Sequence, residues 1–428
     1  MHDVDNTYQR RIVDDVLDTL AAEAPAIALA GPKAVGKTTT AEQRARTVYR
    51  LDDVLAREAY INAPRPFAGV PGPILLDEWQ HVPDVWNPVR RAVDDGAPAG
   101  RFLLAGSAAP DEAAIHSGAG RIIPLRLRPL SLAERGLTPP AVSLADALAG
   151  RLGAVEATTA VAFPDYAREI TASGLPGIRR YSPRVRAQYL DAYLANVVQR
   201  EFADQGLKVR RPDTLRRWLR AYAAATGTTA GYSAILAAAT PGEADKPAIK
   251  TTIAYRDILD GLYLLDEIGP WDPGGVSMAR LAQTPKHFLA DPALAARLLG
   301  IDEATLLDGP LEPAFGPRYG SIAGRLFEAL VALSLQTYAA ALGARVSYLR
   351  TRNGDHEVDF LVQAGQSVVA IEVKLAPTVT DADVRHLVWL RRQLGSRLRE
   401  AIVLTTGPAA YRRATDQILA LPAALLGP

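Results

Sequence analysis

Gly31-Pro32-Lys33-Ala34-Val35-Gly36-Lys37-Thr38 fits the phosphate-binding pattern GxxxxGK[ST], and its surroundings carry as much weight as the pattern. The apolar run Ala26–Ala30 leads into it and predicts a strand. An alanine- and charge-rich stretch beginning at Thr39 predicts a helix behind it. In that setting Gly31 and Gly36 let the backbone turn back, so that its N–H groups converge on phosphate oxygens at the start of a helix. The segment from Gly31 to Thr39 is expected to cradle the phosphates. Lys37 should reach the β- and γ-phosphates, and the Thr38 hydroxyl should help hold Mg²⁺. Taken alone, the motif leaves an ordinary glycine-containing turn as the alternative.

A second stretch, Pro73-Ile-Leu-Leu-Asp77-Glu78, narrows that choice. A continuously apolar strand is one buried on both faces of a parallel sheet, and ligands bind at the carboxyl ends of such strands. Asp77 is assigned to Mg²⁺, directly or through water, and Glu78 to orienting and polarising the attacking water. Together the two motifs predict a nucleoside triphosphate site. A third strand, residues 101–105, ends at Gly106-Ser107. The segment that follows, Gly120-Arg121-Ile-Ile-Pro-Leu-Arg126-Leu-Arg128, supplies three candidates for a charge-stabilising arginine, with Arg121 foremost. Alternating Leu and Arg is equally the pattern of a half-exposed strand.

The succession GPKAVGKT, ILLDEWQ, LLAGSA and GRIIPLRLRPLSLAE resembles a large prokaryotic family of AAA+-related ATPases with a C-terminal domain of unknown function. Ser173-Gly174-Leu-Pro176-Gly177 and Pro285-Lys286-His-Phe-Leu-Ala-Asp291-Pro are similar to segments of that family's later regions, so the resemblance spans nearly the whole chain. It implies ATP hydrolysis with Mg²⁺. It also implies a sensor role for Ser107 between the two motifs, for which a simple Gly-Ser turn is the competing reading. AAA+ relatives often form rings, which raises the expectation of a homo-oligomer of unspecified size.

Composition limits the alternatives. A chain of 428 residues, 48% hydrophobic and 22% charged, has the make-up of an ordinary globular protein of two or three domains. It contains no cysteine, which excludes disulfides and thiolate-bound zinc. The acidic start, Met1-His-Asp-Val-Asp-Asn, lacks the basic and apolar regions of a signal peptide. No apolar run is long enough to span a bilayer, so a cytoplasmic protein without a membrane partner is expected. With a net charge of only +1, any nucleic-acid contact must come from a local patch.

The expected class is α/β in three parts. An AAA+-type parallel-sheet P-loop domain occupies 1–140. A helical, winged-helix-like region occupies 141–308, and an α/β restriction-endonuclease-like domain 309–428. Thr138-Pro139-Pro140 marks the first break, and a Pro/Gly-rich stretch at 309–317 reads as a linker. In the middle region, helices are predicted over 189–198 and 214–224. Residues 231–239 and 248–259 read as the two helices of a helix-turn-helix, broken at Pro241-Gly242, with residues 262–268 as a wing strand. Spacing puts Ile249, Ile253, Leu259 and Leu262 on one buried face and leaves Lys250, Thr251 and Arg256 outward. Such a helix can enter a DNA major groove; packing alone is the other reading. Lys208, Arg210, Arg211, Arg216, Arg217 and Arg220, interleaved with Trp218, form either a phosphate-facing surface or a solvated basic face.

In the C-terminal part, Glu357-Val-Asp359-Phe-Leu-Val, a turn at Gly365, and Val368-Val-Ala-Ile-Glu372-Val-Lys374 predict a hairpin. Asp359, Glu372 and Lys374 fit the D…(E/D)-x-K core shared by restriction-endonuclease-like nucleases, and Glu328, on a helix over 324–335, matches the acidic residue that often completes it. Carboxylates on adjacent strands are suited to Mg²⁺, with Lys374 beside them to orient water. Charged strand ends paired with one another are the plainer reading. The functional expectation is an ATPase that couples turnover to DNA or RNA. The alternative is an ATP-driven switch acting on a protein partner, with the nuclease-like domain as scaffold.

Overall fold

The computed structural model describes residues 8–63, 67–108, 119–207, 211–240, 249–272, 284–308, 321–351 and 354–428. Lys208, Arg210, Pro241, Gly242 and the 309–317 linker lie outside them. The chain folds as two compact units: Met1–Arg128 with Gly261–Tyr263, and Pro129–Asp260 with Leu264–Pro428. These differ from the three parts expected, since the break at residue 140 lies inside the second unit and the regions expected as middle and last share that unit.

In the first unit, β1 (Ala26–Ala30), β2 (Thr47–Arg50), β3 (Ile74–Asp77), β4 (Phe102–Gly106) and β5 (Ile123–Arg126) form a sheet in the order β2-β3-β4-β1-β5. All its pairings are parallel. The apolar runs are continuous because alternate residues enter different cores. Ala26, Ala28, Ile74, Leu76, Phe102 and Leu104 pack with Trp79, Trp86 and Val89 on one face. Ile27, Leu29, Leu75, Leu103 and Ala105 pack with Leu17 and Ala41 on the other. Leu17 belongs to α1 (Ile12–Glu23) and Ala41 to α2 (Lys37–Glu42); the described part of the unit also holds α3 (Val54–Asn62) and α4 (Trp86–Asp94). Each fully buried leucine in these layers is worth about 1.5–3 kcal/mol.

The second unit begins with short strands, β6 (Val142–Ser143) and β7 (Ala157–Thr158), and continues through helices that include Phe163–Thr171, Pro183–Asn196, Pro212–Ala224, Tyr232–Ala239 and Ile249–Gly261. Pro183–Asn196 continues through a π-helical turn, Val197–Glu201. Trp218, Leu215 and Leu219 are buried, whereas Arg216, Arg217 and Arg220 are exposed. The tryptophan thus belongs to the core and not to the basic face with which it alternates in sequence. On Ile249–Gly261 the buried face is Thr252, Tyr255 and Leu259. Ile253, expected inside, is 45% exposed; aromatic Tyr255 takes the inward position by packing against Phe202 and Trp218. The side chain of Ile249 is not described. Residues 262–268 do not make a continuous wing strand. Single bridges join Leu265 to Leu289 and Ile268 to Lys286.

A helix, Ile322–Ala341, leads into β8 (Arg345–Arg350), β9 (Glu357–Ala364) and β10 (Ser367–Val373), successive antiparallel neighbours. The helix Asp381–Leu394 then crosses over to β11 (Leu398–Thr405), parallel to β10. With β12 (Ala409–Arg412) and β13 (Leu419–Pro422), the sheet order is β7-β12-β13-β11-β10-β9-β8. Gly365, at φ +56°, makes the β9–β10 turn. Val384, Leu387 and Leu390 of the crossover helix pack on Val358, Val368 and Ala370. The segment near residue 140 belongs to this half: β7 pairs with β12, and β6 pairs with β14 (Leu426–Gly427).

Candidate functional site

Residues 31–36 form the loop between β1 and α2. Gly31 has no alternative there: a Cβ would lie 2.2 Å from the Leu127 carbonyl oxygen. Gly36 holds φ +103° at the entry to α2, a conformation side chains disfavour, and Ala34 is left-handed too at φ +64°. Pro32 and Val35 are buried, while Lys33, Ala34 and Thr39 are exposed. Lys37 is buried and donates to the carbonyls of Gly31 (2.9 Å) and Pro32 (3.0 Å). Burial pushes its ammonium down to about 8, against the pull of Glu78 and Asp77.

The two motifs meet directly. Thr38 Oγ1 donates to Asp77 Oδ1 at 2.8 Å, a bond to a carboxylate worth about 1.5–3 kcal/mol. Burial raises the Asp77 carboxyl above its ordinary value, and the Thr38 hydroxyl opposes the rise. Immediately beyond β3, Glu78 adopts φ +50°, an unusual backbone for a non-glycine residue and one that recurs at functional sites. Its Oε2 accepts from Gln80 Nε2 and from Ser107 Oγ, the latter at 3.4 Å. Gln80 Nε2 also donates to Ser107 at 3.2 Å. Lys37, Thr38, Asp77, Glu78 and Ser107 are thereby gathered at the carboxyl ends of β1, β3 and β4. Arg121 is elsewhere, donating to Asp94 Oδ1 at 2.5 Å and to the Ala119 carbonyl. Arg126 lies over the Tyr263 ring at 5.4 Å.

Four residues important to this site carry no signal in local sequence. Arg11, 5% exposed, donates to the carbonyls of Val35 (3.2 Å) and Arg128 (2.8 Å), fastening the phosphate loop to the end of β5. Asp14, fully buried, accepts from Tyr8 at 2.6 Å and pairs with Arg44 at 2.7 Å. Tyr8 also reaches Thr40 on α2 at 3.1 Å.

The second unit holds a cleft of about 720 Å³ at the junction of the helix Ile322–Ala341 with β9 and β10. Glu328, Asp359, Glu372 and Lys374 all line it, so the structure brings the sequence-expected set together. Lys286 joins them. Its Nζ, on a side chain only 2% exposed, donates to Glu328 Oε1 and Asp359 Oδ1, each at 2.8 Å. Asp359 Oδ2 accepts from the Val373 N–H at 3.0 Å, and Glu372 Oε1 from Lys374 at 2.9 Å. Burial pushes Glu372 up to about 8, with Asp359 adding to it. Burial likewise raises Glu328 to about 7 despite Lys286. Burial also acts to raise Asp359, but Lys286 and Lys374 outweigh it and hold that carboxyl below its ordinary value. Arg325, Arg350 and Arg385 are also in the cleft wall.

The expected DNA-facing side chain Arg256 pairs with Asp257 at 2.7 Å and lies over Tyr232. Among the described residues no group of three or more His, Cys, Asp or Glu is placed to hold a metal. None of the described helices is long and apolar enough to cross a membrane.

Residues 23–135 match the model of the AAA domain family, residues 164–305 a domain of unknown function (DUF8612), and residues 323–426 another (DUF4143). Uncharacterized proteins of Mycobacterium bovis and Mycobacterium tuberculosis are each 26% identical over 415 residues, spanning 94% of this chain and 80% of theirs. Among solved structures, the Walker-type ATPase of Pyrococcus abyssi is 14% identical at a TM-score of 0.41, covering 69% of this chain and 97% of its own. The ORC2 protein of Aeropyrum pernix is 14% identical at 0.31, covering 69% and 95%. The match over residues 23–135, the parallel sheet and the loop geometry make the N-terminal region similar to AAA-type P-loop ATPase domains.

Proposed function

We propose that this protein hydrolyses ATP in its first unit and couples turnover to a nucleic acid held by its second. The observation that carries the first half is the direct contact of Thr38 with Asp77, next to the Glu78–Gln80–Ser107 cluster. Lys37 holds the β- and γ-phosphates, and the loop N–H groups position them. Glu78 takes the proton of the attacking water, with Ser107 and Gln80 fixing its carboxylate. The donor set suits Mg²⁺, since a hydroxyl and a buried carboxylate already adjoin: Thr38 and Asp77 are the residues that would hold it. When bound, the ion neutralises phosphate charge. Arg121, paired with Asp94, is retained only as a candidate for charge stabilisation across a subunit interface of a homo-oligomer.

Support for nucleic acid comes from the second unit. The succession helix, β8, β9, β10, helix, β11, with Asp359 on β9, Glu372 on β10 and Lys374 beside them, supports a restriction-endonuclease-like reading. Exposed Arg211, Arg216, Arg217 and Arg220 add a basic face suited to phosphates.

The test is steady-state ATP hydrolysis alone and with single-stranded DNA, duplex DNA or RNA, with Glu78→Gln as control. Stimulation by one polymer supports coupling and identifies the substrate class. Turnover indifferent to all three refutes it and favours the second reading, a switch acting on a protein partner. The observation favouring that second reading is the ammonium of Lys286 inside the acidic cluster.

A further inference from the structure

We propose that Lys286 is the resident cation of the C-terminal cleft: its ammonium stands between Glu328 and Asp359 where a nuclease would hold a divalent metal ion, so the cleft takes no such ion and leaves a bound phosphodiester uncut. The inference rests on the nuclease-like reading of that cleft and departs from it at the metal.

Lys286 is built into this position. Its backbone is clamped by reciprocal bonds with Ile268, 2.9 Å and 3.0 Å. The neighbouring Thr284 carbonyl accepts from Tyr348 at 2.7 Å. The ammonium lies 5.3 Å from the centre of the Phe360 ring and bridges residues 42 and 73 positions away. The buried ammonium is held by two carboxylates and not by water, unlike that of a surface lysine.

Four of the six carboxylate oxygens of Glu328, Asp359 and Glu372 are consequently committed. Glu328 Oε1 and Asp359 Oδ1 are bound to Lys286, Asp359 Oδ2 to the Val373 N–H, and Glu372 Oε1 to Lys374. Glu372 Oε2 is buried with no hydrogen-bond partner, and it lies beside an oxygen that already carries an ammonium. Mg²⁺ and Mn²⁺ demand several oxygen ligands in a near-octahedral shell. Here an incoming ion meets like charge inside its own ligand shell. The residues present do not fit the metal. The lining carries five cationic side chains (Lys286, Arg325, Arg350, Lys374, Arg385) beside four carboxylates, so the cations already present outnumber the acids.

Mn²⁺ titration of the nucleotide-free full-length protein, followed by electron paramagnetic resonance, tests this at pH 7.5. Wild-type protein and Asp359→Asn are expected to bind Mn²⁺ identically, because no cleft site contributes. Lys286→Ala is expected to gain one site at least about tenfold tighter than any in the wild type, a free-energy gain of about 1.4 kcal/mol. Adding Asp359→Asn should abolish that gain. A wild-type site that Asp359→Asn removes overturns the proposal, and this comparison does not depend on the Lys286 variant folding. A folded Lys286→Ala protein that gains no site overturns it as well. Cleft-bound Mn²⁺ together with polymer-stimulated ATPase sinks this inference alone; absent stimulation with a metal-free cleft sinks only the coupling.

Discussion

Replacing Glu78 by Gln isolates proton acceptance from everything else the residue does. Its Oε2 accepts from Gln80 and Ser107, and a glutamine carbonyl oxygen serves the same two donors. Shape, left-handed backbone and hydrogen bonding are all kept, so nucleotide affinity should stay within about threefold of wild type. What is lost is the oxygen basicity that the proposed role requires. General-base catalysis is worth about 10²–10⁴ in rate, equivalent to about 2.7–5.4 kcal/mol of barrier. Saturating-ATP phosphate release should therefore fall by at least two orders of magnitude. Ser107→Ala provides the scale, since it deletes only the 3.4 Å contact to Glu78 and the 3.2 Å bond from Gln80 and should cost about tenfold or less. Fluorescent-nucleotide titration beside phosphate release separates binding from chemistry. A Glu78→Gln kcat within about threefold of wild type, with intact binding, refutes the assignment of the base.

Lys37→Ala should abolish tight ATP binding, and micromolar binding retained in an equilibrium titration counts against its role. Asp291→Ala should lower the melting temperature of the second unit, by a loss of about 3 kcal/mol or more. The buried carboxylate accepts from Ser173 (2.5 Å), Gly174 N–H (2.9 Å) and the capped Ala293 N–H (3.0 Å); a negligible shift by differential scanning fluorimetry contradicts this. Glu169→Gln should destabilise in a pH-dependent way. Burial favours the protonated acid, but Arg179 and Arg135 outweigh it and hold the folded carboxyl below its ordinary 4.5. That stabilisation is present above about pH 4.5 and is lost as pH falls through the folded-state value. The melting-temperature gap to wild type should narrow between pH 7 and 4, and a constant gap disproves the linkage.

The first unit was legible in the sequence because its signals are local. The runs forming β1, β3 and β4 are buried on both faces, and the residues proposed to bind nucleotide stand at their ends. The β9–β10 hairpin was legible for a similar reason, with apolar strands flanking a glycine turn. What escaped are pairings across long separations. Lys286 meets Asp359 73 residues away, and Arg11 meets the carbonyl of Arg128 117 residues away. No window of sequence contains both partners. Face assignment failed at Ile253, which hydrophobic spacing put inside and which is 45% exposed while Tyr255 is buried.

The pairing of β6 with β14 sets an order on the making of this protein. Ser143 Oγ donates to the Pro428 carbonyl, 285 residues later, at 2.7 Å. Translation at about 5–20 residues per second leaves roughly 15–60 seconds between those two points. Until then Val142–Ser143 has no strand partner, and Ala157–Thr158 waits for Ala409–Ala410. A fragment cut to the matched segment 323–426 would keep β12 yet lose β7, exposing an edge on which another chain can pair. Expression of the second unit therefore has to start before residue 142, well upstream of the C-terminal family match.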